Sequence, residues 1–368
     1  MDTFTQRLLA WYIEHGRHDL PWQQNRTAYS VWVSEVMLQQ TRVATVVPFF
    51  ERFMERFPTV GDLAGAHLDE VLKLWAGLGY YARARNLHRA SQIVVDCFSG
   101  QLPGSLDGLI ALPGIGRSSA AAILALALDQ RHPILDGNVK RVLTRYHGVE
   151  GWPGEGGVLK RLWEFADWHT PQSRVAEYTQ SIMDLGATVC TRSAPTCTVC
   201  PVAVDCVARR LGAQRKLPTP RPKRIRSSKR VRVLIVHDAS KGVLLERRPP
   251  SGIWGGLFSL PELPEGEDPN QWCAIHLGGP AETWDPVNPI QHSFTHFDLL
   301  IEPLLLKVKV GTRNILEHKD WLWYNPADEV AVGLPAPIVR LLGMLTEVGF
   351  ETGWGSSLKG PELISVGS

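Results

Sequence analysis

Through the first 211 residues apolar side chains recur every three or four positions, in runs at 5–14, 31–49, 68–74, 82–98 and 118–128. That spacing keeps one face of a helix apolar, so the pattern predicts helices throughout, with prolines and glycines in the gaps. Past residue 230 the period shortens to two. Residues 231–236, 242–247 and 297–310 alternate as half-buried strands do, and 337–348 return to helical spacing. Between the regimes lies 212–230, which carries Arg215, Lys216, Arg221, Lys223, Arg224, Arg226, Lys229 and Arg230 with three prolines and no acid. It reads as a basic linker, able to float in solvent or to follow a phosphate backbone. The glycine- and serine-rich end, 351–368, is expected to be disordered.

A chain of 368 residues can bury two cores, and the change of period assigns one to 1–211 and the other to 231–350. A formal net charge of +2 is close to neutral, so a nucleic-acid partner has to be argued from local charge. The longest apolar run, residues 120–128, falls short of the ~20 residues a membrane span needs. Met1-Asp2-Thr3 does not open a basic-then-apolar leader. The expectation is a monomeric cytoplasmic protein, nucleoid-associated in a bacterium, without a membrane partner.

Four of the six cysteines, Cys190, Cys197, Cys200 and Cys206, fall in one stretch as C-x6-C-x2-C-x5-C. Thiolates this close suit an iron–sulfur cluster or a tetrahedral zinc. The six-residue first gap argues against a zinc ribbon, and the absence of a secretory leader argues against disulfides.

Leu112-Pro113-Gly114-Ile115-Gly116-Arg117 separates two apolar helical runs. Its glycines permit a turn closed to other residues and present backbone amides at the next helix start, where a phosphate is favoured. With Asp136 downstream in Ile134-Leu135-Asp136-Gly137-Asn138-Val139-Lys140-Arg141, this stretch resembles the helix-hairpin-helix, glycine-proline-aspartate superfamily of base-excision DNA glycosylases. The resemblance implies an all-α glycosylase domain, with its hairpin near 109–128 and one [4Fe–4S] cluster in a loop at 190–206. Superfamily members that also cleave the strand carry a nucleophilic lysine directly after the hairpin arginine. Here that position is Ser118, a poor nucleophile without a base partner, so glycosylase activity alone is expected.

Glu35 lies in the apolar string Val31-Trp32-Val33-Ser34-Glu35-Val36-Met37-Leu38-Gln39-Gln40-Thr41. Burial there would raise its pKa towards that of a general acid working near neutrality. The string, together with Gly77-Leu78-Gly79-Tyr80-Tyr81-Ala82-Arg83, resembles the adenine DNA glycosylase (MutY) family, which removes adenine mispaired with 8-oxoguanine. The resemblance runs over most of residues 10–345. It implies Glu35 as acid and Asp136 as the carboxylate that stabilises or covalently traps the sugar cation. It further implies Asn138, Gln180, Ser118, Arg17, Trp22 and Leu38 around the base, and Gln40, Tyr80, Gly114, Gly116, Arg117 and Lys140 on double-stranded DNA carrying an A:8-oxoguanine or A:G mispair. An endonuclease III-like glycosylase with lyase activity and a non-catalytic iron–sulfur DNA sensor are the alternatives.

The second region resembles an α+β Nudix-like domain through Arg247-Arg248-Pro249-Pro250-Ser251-Gly252-Ile253-Trp254-Gly255-Gly256-Leu257, yet it lacks the glutamate-rich box that holds magnesium in hydrolytic members. Recognition without hydrolysis is implied. Phe294, Thr295 and His296 match the family loop that senses 8-oxoguanine.

Overall fold

The computed structural model describes residues 1–24, 26–222, 227–249, 252–294, 297–309, 320–325 and 332–347. The chain divides into two compact units, Met1–Lys223 and Arg224–Ser368. The first unit is helical: α1 (Thr3–His15), α2 (Ala28–Leu38), α3 (Val43–Arg56), α4 (Val60–Gly65), α5 (Leu68–Trp75), α6 (Ala82–Phe98), α7 (Leu106–Ile110), α8 (Arg117–Leu128), α9 (Gly137–His147), α10 (Gly156–His169), α11 (Val175–Asp184) and α12 (Val207–Arg210). A π turn, Leu185–Val189, extends α11 towards Cys190.

Side-chain caps set many of the helix starts. Asp2 accepts from Thr5 N, Thr27 and Ser30 form a reciprocal capping box, as do Thr59 and Asp62, and Ser105 accepts from Gly108 N. Each satisfies amide donors that the helix leaves open. The apolar run at 31–49 is two helices and not one. It breaks at Gln39–Arg42, where Gln40 takes a left-handed φ of 61°. Periodicity missed this because both flanking helices bury apolar residues and the break is polar by only four positions.

Helices α2 and α8 pack together and are buried on nearly every face. Tyr29 to Ser34, Val36 and Met37 are enclosed on α2, and Ala120 to Leu126 on α8. The alanines of α8 permit the close approach. Outer helices bury a single stripe, as with Val46, Phe50 and Phe53 of α3. Phe53 is fully enclosed and meets Phe57 and Trp75 edge-on at centroid distances of 5.0 and 6.0 Å.

The second unit is built on one mixed sheet: β1 (Ser227–Asp238), β2 (Gly242–Arg247), β3 (Phe258–Ser259), β4 (Glu262–Leu263), β5 (Thr283–Pro286), β6 (Ile290–Ser293), β7 (Phe297–Lys307) and β8 (Trp321–Tyr324), with helices α13 (Pro269–Leu277) and α14 (Ala336–Glu347). The spine runs β3-β2-β1-β7-β5, with β4 on β1, β6 on β7 and β8 on β2. β1 and β7 pair in parallel, from Ser227 opposite Phe297 to His237 opposite Lys307. Alternation then divides the core. Val233 and Ile235 face one way, with Ile338, Leu341 and Leu342 of α14, while Leu234 and Val236 face Trp272, Cys273 and Leu277 of α13.

Two expectations about the linker change. Leu217 is buried, and its carbonyl accepts from Arg145 Nε at 2.9 Å, so the chain up to that point is anchored to the helical unit. Ser227 to Arg230 are strand, because the ladder to β7 is satisfied by backbone groups whatever the side-chain charge. The expected tail, 351–368, lies outside the described residues.

Because Phe53 has no exposed surface and two aromatic neighbours, Phe53→Ala should destabilise the helical unit by about 3–5 kcal/mol in urea unfolding. A loss under 1 kcal/mol would contradict this packing.

Candidate active site and nucleic-acid interface

Glu35 and Asp136 lie close enough to act on each other electrostatically, the first on α2, which packs on α8, and the second at the start of α9. Glu35, on α2, is pushed up to about 8, first by burial and then by the negative charge of Asp136. Asp136 is the N-cap of α9, and its Oδ1 accepts from Val139 N at 2.8 Å. Burial raises the Asp136 pKa, but the backbone amides of Val139 and Asn138 and the charges of Arg141 and Lys140 oppose the rise. Two acids side by side thus differ in character: Glu35 holds its proton at neutral pH, while Asp136 has donors and cations that favour the carboxylate.

The surroundings fix that arrangement. Ser118 Oγ accepts from Leu135 N at 3.0 Å, tying the first turn of α8 to the residue before Asp136. Asn138 Oδ1 accepts from Arg141 Nη2 at 2.8 Å; the same nitrogen donates to Gly186 O at 2.6 Å, and Arg141 Nε donates to Cys190 O at 2.7 Å. Gly186 has to be glycine here, since a Cβ would stand 2.6 Å from Asn138 Cβ. Gln180 is buried and donates to Asp184 Oδ1 at 2.9 Å, and Asp184 also accepts from the backbone N, Nε and Nη2 of Arg17. Arg17 and Gln180 are therefore joined through a third residue. Trp22 is buried edge-on to Phe50 at 5.4 Å, and Leu38 is the last residue of α2.

The expected DNA-contact residues lie on loops and helix starts. Gln40 and Tyr80 are exposed and both left-handed, with φ of 61° and 50°. Gly114, with φ of 81°, turns the hairpin over Asn86, whose Cβ a side chain there would meet at 2.8 Å. Gly116 caps α8 without a side chain, leaving the first-turn amides open to an anion. Arg117 is exposed, its guanidinium 4.0 Å from the Trp163 ring centroid. Lys140 is half-buried, and its charge acts on Asp136.

Cys190, Cys197, Cys200 and Cys206 line one pocket with Val142, Arg145, Tyr146 and Val202, all as free thiols. Arg145 Nη1 donates to Cys190 Sγ at 3.3 Å, and Cys206 Sγ donates to Arg145 O at 3.5 Å. Burial, reinforced by the neighbouring cysteines, pushes the Cys200 thiol up to about 11 and raises Cys206. Among the described residues no group of three or more His, Cys, Asp or Glu is placed to hold a metal ion. Four soft donors around one pocket are the ligand set of an iron–sulfur cluster or a tetrahedral zinc.

In the second unit Phe294 N donates to Phe297 O at 2.9 Å, closing the turn from β6 to β7. Its ring stacks on Phe297 at 4.7 Å and meets His292 edge-on at 4.6 Å. Thr295 and His296 lie outside the described residues.

Residues 33–167 match the model of the HhH-GPD superfamily base excision DNA repair proteins, a span holding both carboxylates and the hairpin, and residues 232–344 match a NUDIX domain. The chain is 37% identical to an adenine DNA glycosylase of Buchnera aphidicola from Acyrthosiphon pisum, over 92% of this chain and 96% of that protein. The chain belongs to the adenine DNA glycosylase family. A rat member is 33% identical over 89% of this chain and 75% of its own length. The solved structure of a thermostable thymine-DNA glycosylase, 25% identical, aligns with 56% of this chain and 95% of its own, at a TM-score of 0.52. The helical unit thus has the fold of a wider glycosylase group, whereas the match to the adenine DNA glycosylases spans both units.

Sequence reasoning missed Asp184, Arg141, Gly186 and Arg83 in this member of the adenine DNA glycosylase family. Asp184 had a legible signal, an acid four residues after Gln180 on a helix. The other three act through backbone carbonyls or through close approach, which residue type alone does not show.

Stability should register the proton that half-buried Glu35 retains. Folding raises its pKa from 4.5 to about 8, so the folded state binds the extra proton between those values and stability falls as pH rises through them. Urea unfolding from pH 5 to 8 should show a downward slope that Glu35→Gln flattens; parallel slopes would refute the burial.

Proposed function

We propose that the protein is a monofunctional DNA glycosylase of base excision repair that hydrolyses the N-glycosidic bond of adenine mispaired with 8-oxoguanine or guanine in double-stranded DNA. The observation that carries this reading is the pairing of Glu35, protonated at neutrality, with Asp136 at the N-cap of α9. Adenine is a poor leaving group until a ring nitrogen gains a proton, which Glu35 can donate. As the bond from the sugar to the base breaks, its electron pair leaves with the protonated adenine and positive charge develops on the deoxyribose. Asp136 then stabilises that charge or traps it covalently, as the carboxylates of retaining glycosidases do, until water bonds to the sugar carbon, displacing Asp136 where it is bound, and its proton returns to the Glu35 carboxylate.

Reaching the base requires its extrusion from the stack, at a cost of a few kcal/mol that a mispair reduces. Gln40 and Tyr80 match the family's wedge positions, and their exposure supports a role in filling the gap; the open amides after Gly116, with Arg117, suit phosphate. Asn138, Gln180 and Arg17 sit in hydrogen-bond networks able to present amide and guanidinium groups to the base. Ser118, whose Oγ accepts from Leu135 N, has no amine with which to form a Schiff base.

The pocket of Cys190, Cys197, Cys200 and Cys206 fits one [4Fe–4S] cluster held by those four sulfurs, with Arg145 beside Cys190. When bound, such a cluster would cross-link the loop 190–206; base release by proton transfer and hydrolysis uses no electron. Phe294, in a closed turn among aromatic rings, supports a lesion-sensing role for the loop it enters.

Single-turnover assays on duplexes with adenine opposite 8-oxoguanine, or with thymine glycol, test the reading. Adenine should be released, with Glu35→Gln slower by about 10²-fold or more, and borohydride should trap little adduct. Release of thymine glycol with abundant trapping would instead establish a lyase acting on oxidised pyrimidines.

Phe294→Ala should lower the preference for 8-oxoguanine over guanine opposite adenine more than it lowers cleavage of the A:G duplex. Equal losses would remove the sensing role.

A further inference from the structure

We propose that Arg83 is a positioning residue that locks the loops bearing Gln40 and Tyr80 into a single DNA-facing wedge. The inference rests on the DNA glycosylase reading of the helical unit and adds to it a residue that no part of the reaction requires by its chemistry.

Arg83 is the second residue of α6, and its guanidinium reaches two separate chain segments. Nη1 donates to Val36 O, Met37 O and Gln39 O at 2.9, 2.8 and 2.6 Å. Nη2 donates to Thr41 Oγ1, Leu78 O and Gly79 O, each at 3.2 Å. The first three carbonyls are at the C-terminus of α2, where the helix has no amides left to satisfy them and its dipole favours a cation. Nε has no acceptor, so the two Nη groups alone orient the side chain. The guanidinium carbon lies 5.4 Å from the ring centroids of both Trp75 and Tyr80, and Trp75 Nε1 also donates to Gly79 O at 3.1 Å.

Two of these acceptors decide the function. Gln39 O belongs to the peptide plane that precedes Gln40, and Gly79 O to the plane that precedes Tyr80. Turning either plane changes φ of the residue after it, and both residues stand at left-handed φ values that non-glycine side chains resist. One cation holds both planes at once, so the two side chains expected to prop the extrusion gap are set relative to each other and to the helix carrying Glu35. A lysine offers three hydrogens on one nitrogen and cannot span acceptors on both segments as a planar fork does.

The test uses the full chain carrying Arg83→Lys, with Thr41→Val as a milder variant that removes one acceptor of Arg83 and the 3.4 Å bond from Thr41 Oγ1 to Gln39 O. Without DNA, amide hydrogen exchange at the Gln40–Thr41 and Tyr80–Tyr81 segments should accelerate together, by about tenfold or more in Arg83→Lys and less in Thr41→Val, while α8 is unchanged. With DNA, the fluorescence rise of 2-aminopurine beside the mispaired adenine should shrink. Single-turnover release should fall at least tenfold on a paired duplex, and that deficit should largely vanish where the adenine is already unpaired in a bulge; the pH profile should be unmoved. Acceleration at one loop alone, an unchanged fluorescence rise, or equal deficits on both substrates would overturn the proposal. Failure of wild type to release adenine, with both loops still loosening together, would count against the glycosylase reading and leave the clamp supported.

Discussion

A carboxyl group held inside an apolar helix is the constraint the helical unit is built around. α2 is enclosed on nearly every face, and Glu35 on it keeps a proton near neutrality because ionising there, beside Asp136, is costly. That condition needs α8 close by, which its alanines allow, and a stable C-terminal end to α2, which Arg83 caps. Burial raises the pKa of its neighbour Asp136 as well, and at the N-terminus of α9 two backbone amides and two nearby cations oppose that rise.

Backbone carbonyls do much of the positioning. Arg141 joins Asn138 to Gly186 and Cys190, Arg145 joins the cysteine loop to Leu217, and Arg83 joins the end of α2 to the Leu78–Gly79 turn. Each guanidinium is fully or partly buried and satisfies carbonyls that a turn or a helix end leaves without amide partners. Arginine suits this work because its fork can satisfy several such groups while staying protonated. The cysteine loop and the proposed reaction centre thereby share a helix, α9, without sharing chemistry.

In the second unit a parallel pair, β1 and β7, forms the spine and two helices cover opposite faces. The strictly alternating core residues of β1 serve both faces at once, so that strand is intolerant of a register slip. The turn at Phe294 lies at the end of this spine, closed by its bond to Phe297.

Much of this was legible in the residues. Helical periods placed α1, α6 and α8, alternation placed β1, β2 and β7, and the strings around Glu35 and Asp136 pointed to the family that the similarity over 92% of the chain establishes. Those signals are local: periodicity and short motifs survive without knowing what lies opposite. The break at Gln39–Arg42, the anchoring of Leu217 and the start of β1 at Ser227 were not legible, because in each a distant partner outweighs local preference. By itself the sequence determined which residue types were present for acid chemistry, phosphate binding and soft-metal ligation. Only the tertiary structure decided that Glu35 and Asp136 share one low-dielectric space, that Asp184 joins Arg17 to Gln180, and that one arginine spans two loops 40 residues apart in the numbering of their tips, Gln40 and Tyr80. Desolvation and the satisfaction of orphan carbonyls are properties of the space around a residue, and that space is assembled from segments far apart in the chain.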